Sequence, residues 1–254
     1  MEPVKEENIL LCIHCNSSLQ PADKFCANCG KLTAEIREPL PSHVFDSRAK
    51  ILSLFYLVDL GACLLASNLD YFNEYSHLVW VEVFMAVWTI GFAAMNWKEL
   101  SPLYSLRNIN PGIVLAVTAG AIVFSLFVSF TVNWLNTSIY DATYSFYTPF
   151  IDYPFPKLIM YLSIAVYPAI FEELGYRGVV FHYIKSTTGR RNAIIISSMA
   201  FAIIHISVLS FYWLIPFALA LGYLRNKYNT LWYGMILHFV FNATACTLDI
   251  LNWL

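Results

Sequence analysis

The sequence predicts an all-α protein, a polytopic bundle of about seven transmembrane helices preceded by a small cysteine-rich module. Three observations predict it. Of 254 residues, 58% are hydrophobic and 13% are charged, with a mean hydropathy of +0.57, whereas a soluble domain carries about 25% charged residues. Long apolar runs recur from Ile51 to the end of the chain, and four of the six cysteines fall before residue 30. The net charge of −2 singles out no partner, and no nucleic-acid partner is expected. No signal peptide is visible, because Met1 to Asn8 is charged and no apolar segment follows before Ile51.

The first element is a pair of knuckles, Cys12-Ile13-His14-Cys15 and Cys26-Ala27-Asn28-Cys29-Gly30. Four thiolates in two close pairs suit tetrahedral zinc, and a segment too small for a core needs such a staple. With Phe25 before the second knuckle and Gly30 after it, residues 1–31 resemble a short zinc ribbon, with Cys12, Cys15, Cys26 and Cys29 as ligands of a structural zinc. A redox pair or two disulfides are the alternatives. Residues 32–50 read as a linker: Pro39 and Pro41 break any helix, and Arg48 and Lys50 form a basic anchor at its end. The transmembrane domain takes residues 51–254.

Apolar spans are expected near 51–69, 77–97, 112–135, 157–185, 192–210, 212–225 and 229–252. The sixth is short and contains Pro216, so a tilt, a kink or partial re-entry is expected. Every second connection is basic. Lys5, Lys24, Lys31, Arg37, Arg48 and Lys50 precede the first span. Lys98 and Arg107 lie in the second connection, Lys185, Arg190 and Arg191 in the fourth, and Arg225 and Lys227 in the sixth. The positive-inside rule then gives a cytoplasmic N-terminus and an external C-terminus. A cytoplasmic ribbon sits in a reducing compartment, which favours zinc over disulfides, and it could bind a cytoplasmic protein. The segment from Asn136 to Pro156 is aromatic and acidic, and a lid over the outer mouth is expected there.

The chemistry concentrates in Phe171-Glu172-Glu173-Leu174-Gly175-Tyr176-Arg177-Gly178, inside the apolar run from Leu158 to Ile184. Ionisable groups at membrane depth are costly and normally face a protein interior or a wet cavity. Glu173 and Arg177 stand at i and i+4 and pair along one helix face. Glu172 is rotated by about 100° from Glu173, which leaves it free as a candidate general base. A buried ion pair that only fixes helix packing is the alternative. Three more polar groups follow: His205, and His238 with Asn242 four residues apart on one face. Glu172 is thirteen residues from Lys185, His205 fourteen from Arg191 and Asn242 fifteen from Lys227. At 1.5 Å per residue each lies roughly 20 Å from its basic anchor, so three helices bring their polar groups to one level. Asp59, Glu82 and Asp249 read as interfacial or helix-packing residues, with no catalytic role.

Glu172-Glu173-x3-Arg177, Phe201-x3-His205 and His238-x3-Asn242, in that order, resemble the EExxxR, FxxxH and HxxxN motifs of the CPBP intramembrane proteases, also called Abi. That family includes type II CAAX prenyl endopeptidases and bacteriocin-immunity proteins, and the resemblance covers about 157–246. It implies hydrolysis of a peptide bond by activated water in a cavity open to the membrane. Glu172 would be the base assisted by His205, Glu173 would be held by Arg177, and His238 and Asn242 would stabilise the oxyanion. Members are often labelled metalloproteases, and Glu172, His205 and His238 are legitimate zinc ligands. Asn242 is a poor ligand and a good neutral donor, which favours the metal-free glutamate mechanism.

The resemblance implies a membrane-embedded or lipid-anchored peptide substrate. The ribbon beside such a core points to a prokaryotic cell membrane. A catalytically idle scaffold or bacteriocin-immunity protein is the alternative, and the intact motif set favours the enzyme. A transporter would show internal repeats with broken helices, and the sequence shows no such repeat.

Overall fold

The computed structural model describes residues 10–12, 14–15, 17–20, 25–30, 36–37, 42–107, 109–141 and 145–251. Lys5, Lys24, Lys31, Pro39, Pro41 and Asn252, on which the expected orientation, linker and last span partly rest, lie outside them. The N-terminal module is a small antiparallel sheet of β1 (Leu10–Cys12), β2 (Ser18–Leu19) and β3 (Ile36–Arg37) in the order β2-β1-β3. Leu10 pairs with Leu19, and Cys12 with Ile36. The sheet thus reaches past residue 31, into residues read from the sequence as linker.

Among the described residues seven long helices follow: α1 (Ser42–Asn68), α2 (Tyr75–Met95), α3 (Pro111–Tyr140), α4 (Pro156–Thr188), α5 (Arg190–Ile204), α6 (Phe211–Tyr228) and α7 (Trp232–Ile250). Helix α1 begins nine residues before the expected span, since nothing from Ser42 to Lys50 breaks a helix. Helix α3 starts on Pro111 at its first turn, with the Asn110 side chain accepting from the amides of Gly112 and Ile113, a favoured N-terminal arrangement.

Among the described residues four helices are long and apolar enough to cross a membrane: His43–Asn68, Tyr75–Met95, Pro111–Ile139 and Pro156–Thr188. About seven were expected. The last three helices have 15, 18 and 19 residues. At 1.5 Å per residue they rise by about 22, 27 and 28 Å, so α5 falls short of a roughly 30 Å hydrocarbon core while α6 and α7 come close to it. They contribute His205, at the end of α5, and His238 and Asn242 of α7 to the site.

Lipid supplies no hydrophobic drive between helices, so packing and hydrogen bonds hold such a bundle. Helix α7 packs along α3, and α5 along α6. Ser125 of α3 donates to the carbonyl of Phe241 on α7 at 2.7 Å. Phe55, Tyr176, Phe181, Phe201, Leu214 and Leu221 are fully buried at the centre, around α4.

Helix α4 is not regular. Tyr161–Val166 and Pro168–Val180 form wider, π-type turns. Pro168 has no N–H to give to the carbonyl four residues back, at Ile164. The widened stretch carries the whole Glu172–Arg177 segment.

Candidate active site

Helix α4 places Glu173 and Arg177 wholly inside the protein. The guanidinium is held three ways: Nη1 donates to Glu173 Oε1 at 3.0 Å, Nη2 donates to the carbonyl of Ala218 at 3.3 Å, and the plane lies over the Phe201 ring at 4.2 Å. The planar fork of arginine suits this combination, which a lysine could not reproduce.

Glu173 has a second partner that the sequence did not indicate. His238 Nδ1 lies 3.1 Å from the same Oε1. A carboxylate only accepts, so the ring donates its Nδ1–H to Glu173 and turns Nε2 the other way. That nitrogen stands 3.9 Å from Glu172 Oε2, an atom buried without a hydrogen-bond partner. His238 therefore lies between the two carboxylates.

His205 is fixed in the same sense. Its Nδ1 donates to the carbonyl of Phe201 at 2.8 Å, a bond that only an Nδ1–H can make, so Nε2 is the free nitrogen. The ring ends α5, and the next residue, Ile206, has φ +52°. A β-branched residue in the left-handed region is strained.

Asn242 Nδ2 donates to the carbonyl of Ile164 at 2.7 Å. It supplies the donor that Pro168 lacks, and one N–H of its amide is committed there. The other remains.

Glu172, His205, His238 and Asn242 line one cavity of about 430 Å³. Phe201, Trp213, Phe217 and Phe241 contribute its aromatic lining, and Ser129, Asn133 and Asn136 of α3 line it as well. Phe146, from the expected lid, also lines it, while Asp249 accepts from the Ser145 hydroxyl and the Tyr147 amide and ties that segment to α7. Residues 142–144 of the lid lie outside the described residues.

The donor set bears on a catalytic metal. Glu172 Oε2 and His238 Nε2 are near enough to share a ligand. Among the described residues, however, the cysteine sulfurs are the one group of three or more such ligand atoms within 4.8 Å of one another. As they stand, Glu172, His205 and His238 do not make a three-ligand metal site.

The sulfurs of Cys12, Cys15, Cys26 and Cys29 do converge. Cys12 and Cys29 are 3.6 Å apart, and Cys15 and Cys26 are 3.5 Å apart. The Ser17 hydroxyl stands 3.0 Å from both Cys15 and Cys26. Burial pushes the Cys15 thiol up, but hydrogen bonds from Ser17, Asn28 and Cys26 outweigh it and bring it down to about 6. Hydrogen bonding by Ser17 likewise lowers Cys26. Thiolates are the metal-binding form, so the four cysteines could bind a metal ion. Gly30, at φ +69°, closes the second knuckle through its amide on the carbonyl of Cys26.

Two residues that sequence reasoning left out of the site support it. Asp59 of α1 is 2% exposed, and its Oδ2 accepts from the Tyr176 hydroxyl at 2.5 Å. An acid in the middle of an apolar span was the available signal. Gly234 lies one turn before His238, and a Cβ there would stand 2.7 Å from Glu173 Oε2. Nothing in the sequence distinguishes it. Glu82 accepts from the Ser163 hydroxyl and joins α2 to α4.

Residues 154–244 match the family described as type II CAAX prenyl endopeptidase Rce1-like, in agreement with the CPBP resemblance. No curated protein and no solved structure matches the chain. The matched segment is less than half of the chain and holds every motif residue of the membrane site. With four candidate membrane spans, it makes this an integral membrane protein with a CAAX-protease-like core.

Proposed function

We propose that the chain is an intramembrane endopeptidase that hydrolyses a peptide bond of a membrane-embedded or lipid-anchored substrate through water activated at Glu172. The observation that carries this reading is the unpartnered Glu172 Oε2, facing His238 Nε2 in a cavity that His205 and Asn242 also line. Glu172 takes one proton from the water, and His205 accepts a hydrogen bond from the same water at Nε2. The resulting hydroxide oxygen bonds to the scissile carbonyl carbon. The oxyanion takes a hydrogen bond from the second N–H of Asn242, and His238 joins it as a donor only where Nε2 carries a proton. When the C–N bond breaks, Glu172 returns its proton to the leaving nitrogen.

On the same reading, the cysteine module, 1–31 with β3 added to its sheet, holds a structural zinc, the chain up to residue 50 joins it to the membrane domain of 51–254, and the N-terminus is cytoplasmic. Purified protein in lipid nanodiscs, incubated with a fluorogenic farnesylated CAAX peptide and with unprenylated apolar peptides, tests the activity. Cleavage of either class that disappears with Glu172→Gln is the expected result. No cleavage by the parent protein would favour the idle scaffold.

A further inference from the structure

We infer that the substrate enters through the seam between α3 and α6 and lies extended along Ser129, Asn133 and Asn136, which bind its backbone. The inference rests on the proteolytic reading for the cleavage step, but not for binding. These three residues lie outside the segment 154–244 that matches the family.

The lining of the cavity combines two chemistries. Ser129, Val132, Asn133 and Asn136 recur at helical spacing, so they form one stripe of α3. The same cavity is lined by Trp213, Phe217 and Phe241. Part of the lining is polar and part aromatic.

Beside this cavity lies a second, of about 320 Å³, lined by Val132, Leu135, Asn136, Ser207, Leu209, Ser210 and Tyr212. Val132, Asn136 and Ser210 belong to both. The two spaces therefore adjoin across these residues, the first reaching Glu172 and the second lying at the bundle end where α3 and α5 finish and α6 begins. Two contacts cross the seam there. Thr131 and Tyr212 share a hydrogen bond at 2.7 Å, and the rings of Phe124 and Phe217 stack with centroids 6.3 Å apart. Helices α3 and α6 are not among the closely packed pairs of the bundle, so side-chain contacts of this kind are what close the seam.

Polar side chains on such a wall normally find partners. Asn133 and Asn136 are half-buried, and among the described residues neither side-chain amide makes a hydrogen bond. Each offers an acceptor and two donors. An extended peptide presents the complementary groups, donors and acceptors alternating along its edge. From Ser129 to Asn136 the helix rises by about 10.5 Å, the length of roughly three extended residues. Alternate side chains would then meet the aromatic lining. A lipid or a free small molecule has no comparable row of amides, so the occupant is a peptide segment.

Photo-crosslinking tests this on the full chain in nanodiscs, with Glu172→Gln so that the probe stays intact. Benzoylphenylalanine is placed at Leu135, inside the mouth, or at Leu115, which is 71% exposed on the same helix. The probe is the farnesylated CAAX peptide, with an unprenylated apolar peptide as a second arm. We expect labelling at Leu135 and not at Leu115, reduced at least fivefold by Asn133→Ala with Asn136→Ala. Equal labelling at both positions, or none at Leu135, overturns the inference, as does labelling that survives the double substitution. If a peptide labels Leu135 but the parent protein cleaves nothing, the proteolytic reading fails and the entry route stands. Cleavage without labelling upholds the proteolytic reading and sinks the entry route.

Discussion

The side-chain amide of Asn242 donates to the carbonyl oxygen of Ile164 at 2.7 Å. This joins α7 to the point where Pro168 interrupts α4. Asn242→Ala should therefore lower thermal stability as well as turnover, because an unsatisfied buried carbonyl costs about 1–3 kcal/mol. Parallel melting and rate measurements check it. A variant that loses activity at an unchanged melting temperature would show that the bond to Ile164 has no structural weight.

Arg177→Ala strands the buried Glu173 carboxylate, and breaking such a pair costs roughly 3–5 kcal/mol. Yield and melting temperature should both fall. Arg177→Lys should recover only part of the loss, since it cannot both donate twice and stack on Phe201.

Gly234→Ala puts a methyl 2.7 Å from Glu173 Oε2. The carboxylate must move, and His238 loses its partner. We expect turnover to fall at least tenfold, with a smaller effect on stability. Adding Glu173→Asp, which withdraws the carboxylate, should restore part of the folding but not the rate. Full activity in Gly234→Ala would remove the Glu173–His238 contact from the mechanism.

Ile206→Gly tests the strain beside His205. A left-handed conformation costs an L-residue about 1–2 kcal/mol, and Ile206 is 37% exposed, so it gives up limited burial. The variant should melt no lower than the parent. A clear drop would mean that its side chain contributes more than its backbone costs.

Replacing Cys12, Cys15, Cys26 and Cys29 with serine should abolish bound zinc while leaving peptide cleavage measurable. Elemental analysis of the full chain reads the first and the fluorogenic assay the second. A metal remaining at one per chain would place a second site in the membrane. The sign with pH follows from the lowered Cys15 thiol. Thiolate predominates above about 6, and protons compete with the metal as pH falls through that value. Zinc should be retained at neutral pH and lost on acidification.

The motif residues were legible because their spacing and matching depth are properties of single helices. His205, His238 and Asn242 needed only a 1.5 Å rise and a helical period. What the sequence did not reveal lies between helices. The expectation gave Glu173 to Arg177 alone, and His238 also takes it, across 65 residues of chain. Asp59 meets Tyr176 across 117 residues, and no local periodicity registers a contact of that kind. The number of spans is less sharply legible: four of the seven long helices are apolar enough throughout to cross a membrane. Hydrophobic runs mark burial as well as membrane crossing, and α5 to α7 are shorter helices, with His205 at the end of α5 and His238 and Asn242 among the apolar residues of α7.

The hydrogen bond from Tyr176 to Asp59 bears on how such a core could be transplanted. A graft of residues 154–244 into another bundle would carry the Tyr176 hydroxyl without its acceptor, at the position between Glu173 and Arg177. A host could accept the helices and still misplace the carboxylates. The smallest portable unit is therefore bounded by where its polar groups find partners. By that measure it begins no later than α1, about a hundred residues upstream of where the family likeness starts.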